Sequence, residues 1–324
     1  MTTYKNVRYK FPAVTLSGAT EGSPAEGDIW YESGKFNLGT SLSVAGVWSS
    51  GGNLATARDY LAGAGTQSAG LCMGGYISAV SAVTEEYNGS AWGSGGDIGT
   101  ARYGLAGCGT QTAGLCMGGS TGSASNVTEE YNGSSWSSGG NLATARGPLA
   151  GAGTQTAGLC MGGSTGSYSN VTEEYDGSSW SSGGNLATAR SKLAGAGTQS
   201  AGLCMGGTDG SYSAVTEEYD GTSWSSGGNL ATARQGLAGA GTQSAGLSMG
   251  GTDDSGTSNV TEEYDGTSWS SAANLATARY NLAGAGTQAS GLSIGGNTGS
   301  KSNVTEEYDS GGSYDELFSA SGGL

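Results

Sequence analysis

Apolar residues in this chain come in short clusters separated by glycine, serine and threonine, and the clusters recur on a fixed beat. Residues 147–190 hold one full beat. Leu149-Ala-Gly-Ala-Gly-Thr-Gln is followed by Ala157-Gly-Leu-Cys-Met-Gly-Gly, a polar stretch from Ser164 to Asn170, Val171-Thr-Glu-Glu-Tyr, Asp176-Gly177 and Ser-Ser-Trp180-Ser-Ser. No cluster keeps a 3.6-residue helical period for more than a turn, whereas β-favouring runs bounded by turn residues read as strands. Each beat therefore predicts a four-stranded antiparallel meander, with strands A, B, C and D in chain order. An Asn-Gly or Asp-Gly pair recurs between C and D at Asn88, Asn132, Asp176, Asp220 and Asp265. Such a pair predicts a type I′ hairpin, with positive φ at both central residues.

The beat is a repeat. Ala-Thr-Ala-Arg ends at Arg58, Arg146, Arg190, Arg234 and Arg279, with Gly-Thr-Ala-Arg at Arg102, spaced by 44 residues except for one interval of 45. Val-Thr-Glu-Glu-Tyr ends in the same rhythm at Tyr87, Tyr131, Tyr175, Tyr219, Tyr264 and Tyr308. A unit this small cannot bury its own apolar face and must stack on its neighbours. The ends of the array favour a ring over an open stack. The first copy supplies only a D strand, around Trp48, and the last stops after strand C at Tyr308-Asp309-Ser310, without the glycine turn or a following tryptophan. A head that is only D and a tail that is only A to C complete one another if the chain closes, and closure removes the exposed sheet edges. The expected fold is an all-β six-bladed propeller over residues 45–309, with an N-terminal arm over 1–44 and a tail over 310–324. Its six D-strand tryptophans are Trp48, Trp92, Trp136, Trp180, Trp224 and Trp269.

Composition narrows the chemistry. Gly supplies 65 of 324 residues, a content that without a period would read as disorder. The net charge of −15, with no histidine, argues against nucleic acid or an anionic membrane as partner. No segment approaches the ~20 apolar residues of a membrane span, so no membrane insertion is expected. The first residues lack the apolar core of a secretory leader, so synthesis and folding in a cytoplasm are expected. Cys72, Cys116, Cys160 and Cys204 share one repeat position with Ser248 and Ser293, the pattern of small buried thiols and not of a disulfide framework. The extra Cys108 can face Cys116 across a hairpin, though nothing in the spacing requires a bond. Without histidine, Ser-His-Asp catalysis and mixed zinc sites are unavailable. The paired acids, such as Glu173-Glu174, point to opposite faces of a strand and cannot share a proton. The expectation is a protein with no cofactor, no metal and no enzymatic activity, a carbohydrate-active enzyme being the least favoured reading.

The glycine pair closing strand B, the tyrosine before a turn, the tryptophan after it and the arginine before the next strand A resemble the kelch motif. The resemblance spans about 264 residues and implies a β-propeller. It departs in one respect, because Tyr to Trp encloses four residues, a tighter C–D turn than is usual in that family. A WD40 reading fits the period but lacks its Gly-His and Trp-Asp pairs. Residues Glu26-Gly-Asp-Ile-Trp-Tyr-Glu-Ser-Gly-Lys-Phe36 are similar to a segment of bacteriophage structural and tail-fibre proteins. The whole arrangement resembles kelch-like proteins of phages of aquatic bacteria, cyanophages among them. That resemblance implies a virion protein, tail-fibre, tail-tip or capsid-surface, held to other virion proteins through residues 1–44. The alternative is a bacterial kelch scaffold for protein partners.

Two sets of residues are candidates for roles. Arg58, Arg102, Arg146, Arg190, Arg234 and Arg279 recur beside the Glu-Glu pairs, and a planar five-donor fork suits joining blades through a Glu or the backbone carbonyls near strand C. The copies differ mainly in the D–A segments and the B–C loops, which a meander places at one end of every blade. Asp59, Tyr60, Tyr103, Lys192, Gln235 and Tyr280 lie in the first, and Tyr76, Tyr168, Asp209, Tyr212, Asp253, Asp254 and Lys301 in the second. Tyrosines on loops of a rigid ring suit stacking on sugars, so this face is expected to contact a host cell-surface glycan or protein. Isolated acids such as Asp209, Asp253 and Asp254 rarely hold calcium.

Overall fold

Strand B carries the bulk of each repeat, and its packing dictates the architecture. Leu71, Cys72 and Met73 are all fully buried, as are Leu115, Cys116 and Met117 in the next copy. Side chains alternate faces along a strand, so each B strand is covered on both sides, and only a neighbouring blade can supply the second cover. The computed structural model describes residues 29–32, 35–38 and 42–314. Its strands form six four-stranded antiparallel sheets arranged as a propeller. In the third blade strand A is Ala150–Gly153, B is Gly158–Met161, C is Thr172–Tyr175 and D is Trp180–Ser182. In the sixth, Ala283–Gly286, Gly291–Ile294 and Thr305–Tyr314 are joined by Leu42–Ser50 as the outer strand. The N-terminal strand thus completes the C-terminal blade. The fifth blade holds the extra residue in a short ribbon, Thr252–Asp253 against Gly256–Thr257.

The apolar clusters lie between blades. One joins Ala62, Ala64, Leu71 and Met73 of the first blade to Ile98, Leu105, Cys116 and Tyr131 of the second, and the pattern repeats around the ring. Each fully buried Leu or Met contributes roughly 1.5–3 kcal/mol. The innermost strands need the Ala-Gly alternation for a steric reason. A Cβ on Gly107 would stand 2.8 Å from the Gly63 carbonyl oxygen of the neighbouring blade, and one on Gly63 would stand 2.6 Å from that of Gly284.

Two details differ from the sequence reading. The C–D connection is not a type I′ turn. Only its glycine has positive φ, as at Gly89 with φ 87, and Asn88 does not. The side chain does the work that backbone twist would have done, since Asn88 Oδ1 accepts from the amides of Ser90 and Ala91. Asp176 does the same with Ser178 and Ser179, and these amides hold its carboxyl down at a pKa of about 2. The last C strand also runs past Ser310 to Tyr314, because no glycine turn interrupts it.

Chain contacts separate Gly46–Ser310 from a unit of residues 1–45 and 311–324. Within the second unit, Ile29–Glu32 pairs antiparallel with Lys35–Leu38. Most of the expected 1–44 arm, and residues 315–324 of the expected tail, lie outside the described residues.

Candidate binding face

The conserved positions of the repeat are occupied in holding blades together. Arg146 is fully buried. Its guanidinium donates to the carbonyls of Gly162 and Val171 at 2.8 and 2.7 Å and pairs with Glu173 at 2.8 Å, all in the blade it introduces. Its own backbone spans the two blades: the amide donates to Ser125 O in the blade before, and the carbonyl accepts from Gly163 in the blade it introduces. Each of the six arginines forms such a pair, with Glu85, Glu129, Glu173, Glu217, Glu262 and Glu306. In some blades the guanidinium also reaches the position where cysteine and serine interchange. Arg58 donates to Cys72 Sγ at 3.3 Å and Arg234 to Ser248 Oγ at 3.0 Å, whereas Ser293 Oγ has no partner. Burial pushes the Cys72, Cys160 and Cys204 thiols up to about 11, against the pull of the neighbouring arginine. Cys108 and Cys116 do not face each other. Cys108 stands opposite Leu115 and Cys116 opposite Gly107, and all five thiols are free.

The second acid of each pair is also used. Tyr131 donates its hydroxyl to Glu86 of the preceding blade at 2.5 Å, and Trp136 Nε1 donates to Thr84 at 3.0 Å. Gln111, from the A–B turn, donates to the carbonyls of Gly70 and Tyr87. Every blade makes these three links to the one before it, and across the closure they run from Tyr87, Trp92 and Gln67 to Glu307, Thr305 and Tyr308.

The variable positions are free of these duties and share one end of the ring. The first residue of each D–A segment pairs with the residue after the glycine pair of its own blade, as Asp59 with Tyr76, Tyr103 with Ser120 and Tyr280 with Asn297. The second residue rings the axis. Tyr60, Gly104, Pro148, Lys192, Gly236 and Asn281 line the central opening, each beside its blade's first leucine. Their backbones bond around it: Tyr60 N to Asn281 O, Gly104 N to Tyr60 O, Lys192 N to Pro148 O, Gly236 N to Lys192 O and Asn281 N to Gly236 O, at 2.7 to 3.1 Å. Pro148 has no N–H, so the sixth link is absent. Aiming an amide tangentially requires positive φ, and φ is 59 at Gly104 and 62 at Gly236. Tyr60, Lys192 and Asn281 hold the same conformation, at 53, 52 and 52, and are the non-glycine residues with positive φ among the described residues.

Of the sequence-predicted face, the fold gathers five residues at blades six, one and two. Tyr103 meets Tyr60 and Tyr76 edge-on with ring centroids 5.7 Å apart in each case, and Lys301 Nζ sits 4.9 Å above the Tyr76 ring. Burial holds the Tyr60 phenol above its usual range, opposed by a hydrogen bond with the Asn281 side chain and assisted by Asp59 and Tyr103. Asp59 itself lies beneath the surface, 5% exposed. Its Oδ2 accepts from Asn297 Nδ2 at 2.9 Å, while Oδ1 has no partner. Lys192 stands across the opening from Tyr60, three blades away.

The remaining candidates stay apart. Tyr168 is exposed and Tyr212 half-buried on the B–C loops of blades three and four. Asp209 and Asp253 each accept an amide of their own loop, from Ser211 and Ser255, and Asp254 is exposed beside them. Gln235 and Tyr280 are half-buried at first D–A positions. Sequence reasoning missed Asn281 and Asn297. The signal for Asn281 was available, since glycine at two of six equivalent positions marks a backbone that needs positive φ. No family model matches this chain, and no curated protein matches it.

Proposed function

We propose that this propeller is a non-catalytic binding module whose D–A and B–C face contacts a glycan or protein on a cell surface. What supports the reading is a division of labour. The repeated Arg, Glu, Tyr, Trp and Gln side chains are committed to bonds within and between blades, whereas the residues that differ most between blades lie at one end of the ring. The chain enters and leaves the propeller unit at the other end. Ser310 N donates to Ala289 O in an A–B turn, and Gly46 packs on the Tyr308 ring. Kelch-like character and a place on a phage particle, as a tail-fibre, tail-tip or capsid-surface component, rest on the resemblance of the repeats and of residues 26–36. The full chain applied to an array of bacterial surface glycans is expected to bind a restricted set. Retention of binding after combined Tyr60→Gly, Tyr103→Ala and Tyr280→Ala substitution would contradict the assignment to this face. Co-sedimentation with intact phage particles tests the virion placement separately.

A further inference from the structure

The charges of the propeller are distributed unevenly, in a way that singles out one kind of ligand. The unit Gly46–Ser310 holds six arginines, all fully buried in pairs with glutamates, and only two lysines, Lys192 and Lys301. Neither lysine is in an ion pair among the described residues. Both lie on the variable face, one at the axial opening and the other above Tyr76. On a chain of net charge −15, the free positive charge of this unit is confined to the face that also carries its tyrosine cluster.

Backbone conformation provides an independent observation. Tyr60 and Lys192 occupy left-handed positions where Gly104 and Gly236 show that glycine suffices. An L-residue is disfavoured there, and observed strain of this kind is a pointer to function. A third observation is the buried Asp59, whose Oδ1 has no partner and whose backbone pairs with that of Tyr76 in the same cluster.

We propose that the axial opening binds a sugar bearing a carboxylate, with Lys192 taking the carboxylate and Tyr60 and Tyr103 taking the ring and its hydroxyls. The chemistry follows from the residues. An ammonium suits a carboxylate as a point charge. Tyrosines offer an apolar face with a hydroxyl at its edge, and the Asn281 amide both donates and accepts. The glycines at 104 and 236 leave the rim between these groups low. This inference rests on the binding-face reading and sharpens it.

The test is calorimetric titration of the full chain with N-acetylneuraminic acid and glucuronic acid, each compared with its neutral methyl ester, at low and high salt. At least one acid is expected to bind roughly tenfold more tightly than its ester, the loss expected for one charge-assisted hydrogen bond. Added salt is expected to narrow that gap. Lys192→Gly is expected to abolish the preference for the acid, and Tyr60→Gly to weaken acid and ester alike. Both variants install the residue already present at equivalent positions, so thermal denaturation is expected to show an intact ring. Equal affinity for acid and ester, or an unchanged preference in Lys192→Gly, overturns the proposal. If neutral glycans bind on an array while Lys192→Gly leaves them untouched, the acidic-sugar inference falls and the binding face stands. If no glycan or cell surface binds at all, both fall.

Discussion

The buried Arg–Glu pair carries the largest single-residue consequence in this molecule. Removing one partner leaves an uncompensated buried charge, which typically costs about 3–5 kcal/mol. Arg146→Ala is accordingly expected to lower stability by that amount in chemical denaturation, and Arg146→Lys to recover little of it, because an ammonium cannot serve Gly162, Val171 and Glu173 in one plane. The tyrosines give a pH signature. Burial, with the glutamate hydrogen bond second, pushes Tyr131, Tyr175, Tyr219 and Tyr264 up to about 12 from an ordinary 10.0. A group whose folded pKa is raised gives stability that is complete below the unfolded pKa and lost as pH climbs through the folded one. Melting temperature is therefore expected to hold up to about pH 10 and fall between pH 10 and 12, in step with phenolate absorbance. A constant melting temperature over that window would contradict the Tyr–Glu links. The thiols make a simpler case. With pKa values near 11 and no exposure, Cys72, Cys160 and Cys204 are expected to resist alkylation at neutral pH until the protein is unfolded.

At the scale of the strand, the same residue type has opposite tolerance in different places. Gly107 in an innermost strand faces backbone at 2.8 Å from any added Cβ, whereas Gly93 in an outer strand has nothing nearer than 4.0 Å. Gly107→Ala is expected to destabilise by about 1–3 kcal/mol. Gly93→Ser, which matches the other D strands, is expected to stay within about 0.5 kcal/mol of the parent. Urea denaturation of the two variants measures both. Strand order and blade composition were legible from the sequence because periodic Leu, Tyr and Trp positions report burial directly. The C–D turn was misread because Asn-Gly suggests a backbone solution, and the alternative, a side-chain cap by Asn88, depends on the four-residue spacing. The axial ring was harder to see. The Ala-Gly alternation announces close packing, but hydrogen bonds from Tyr60 to Asn281 and from Asn281 to Gly236 join different repeats, and no local pattern encodes them. Burial of Asp59 escaped for the same reason, since its partner Asn297 comes from the far end of the chain.

Closure unites these observations at the level of the whole molecule. Each blade bonds its predecessor through the same Tyr, Trp and Gln, and the first blade bonds strand C of the last, whose outer strand is Leu42–Ser50. An open stack would expose strand edges and divide the variable face between two distant ends. The most direct test is nuclear Overhauser spectroscopy of the deuterated full chain, focused on the backbone amides of residues 47–54 and 303–308. Closure predicts inter-strand contacts there, including those implied by Gly51 N bonding to Thr305 O at 3.0 Å and Leu54 N to Asn303 O at 2.8 Å. Absence of any contact between these two segments, in protein whose other blades give their expected cross-strand contacts, would contradict the ring and with it the single binding face.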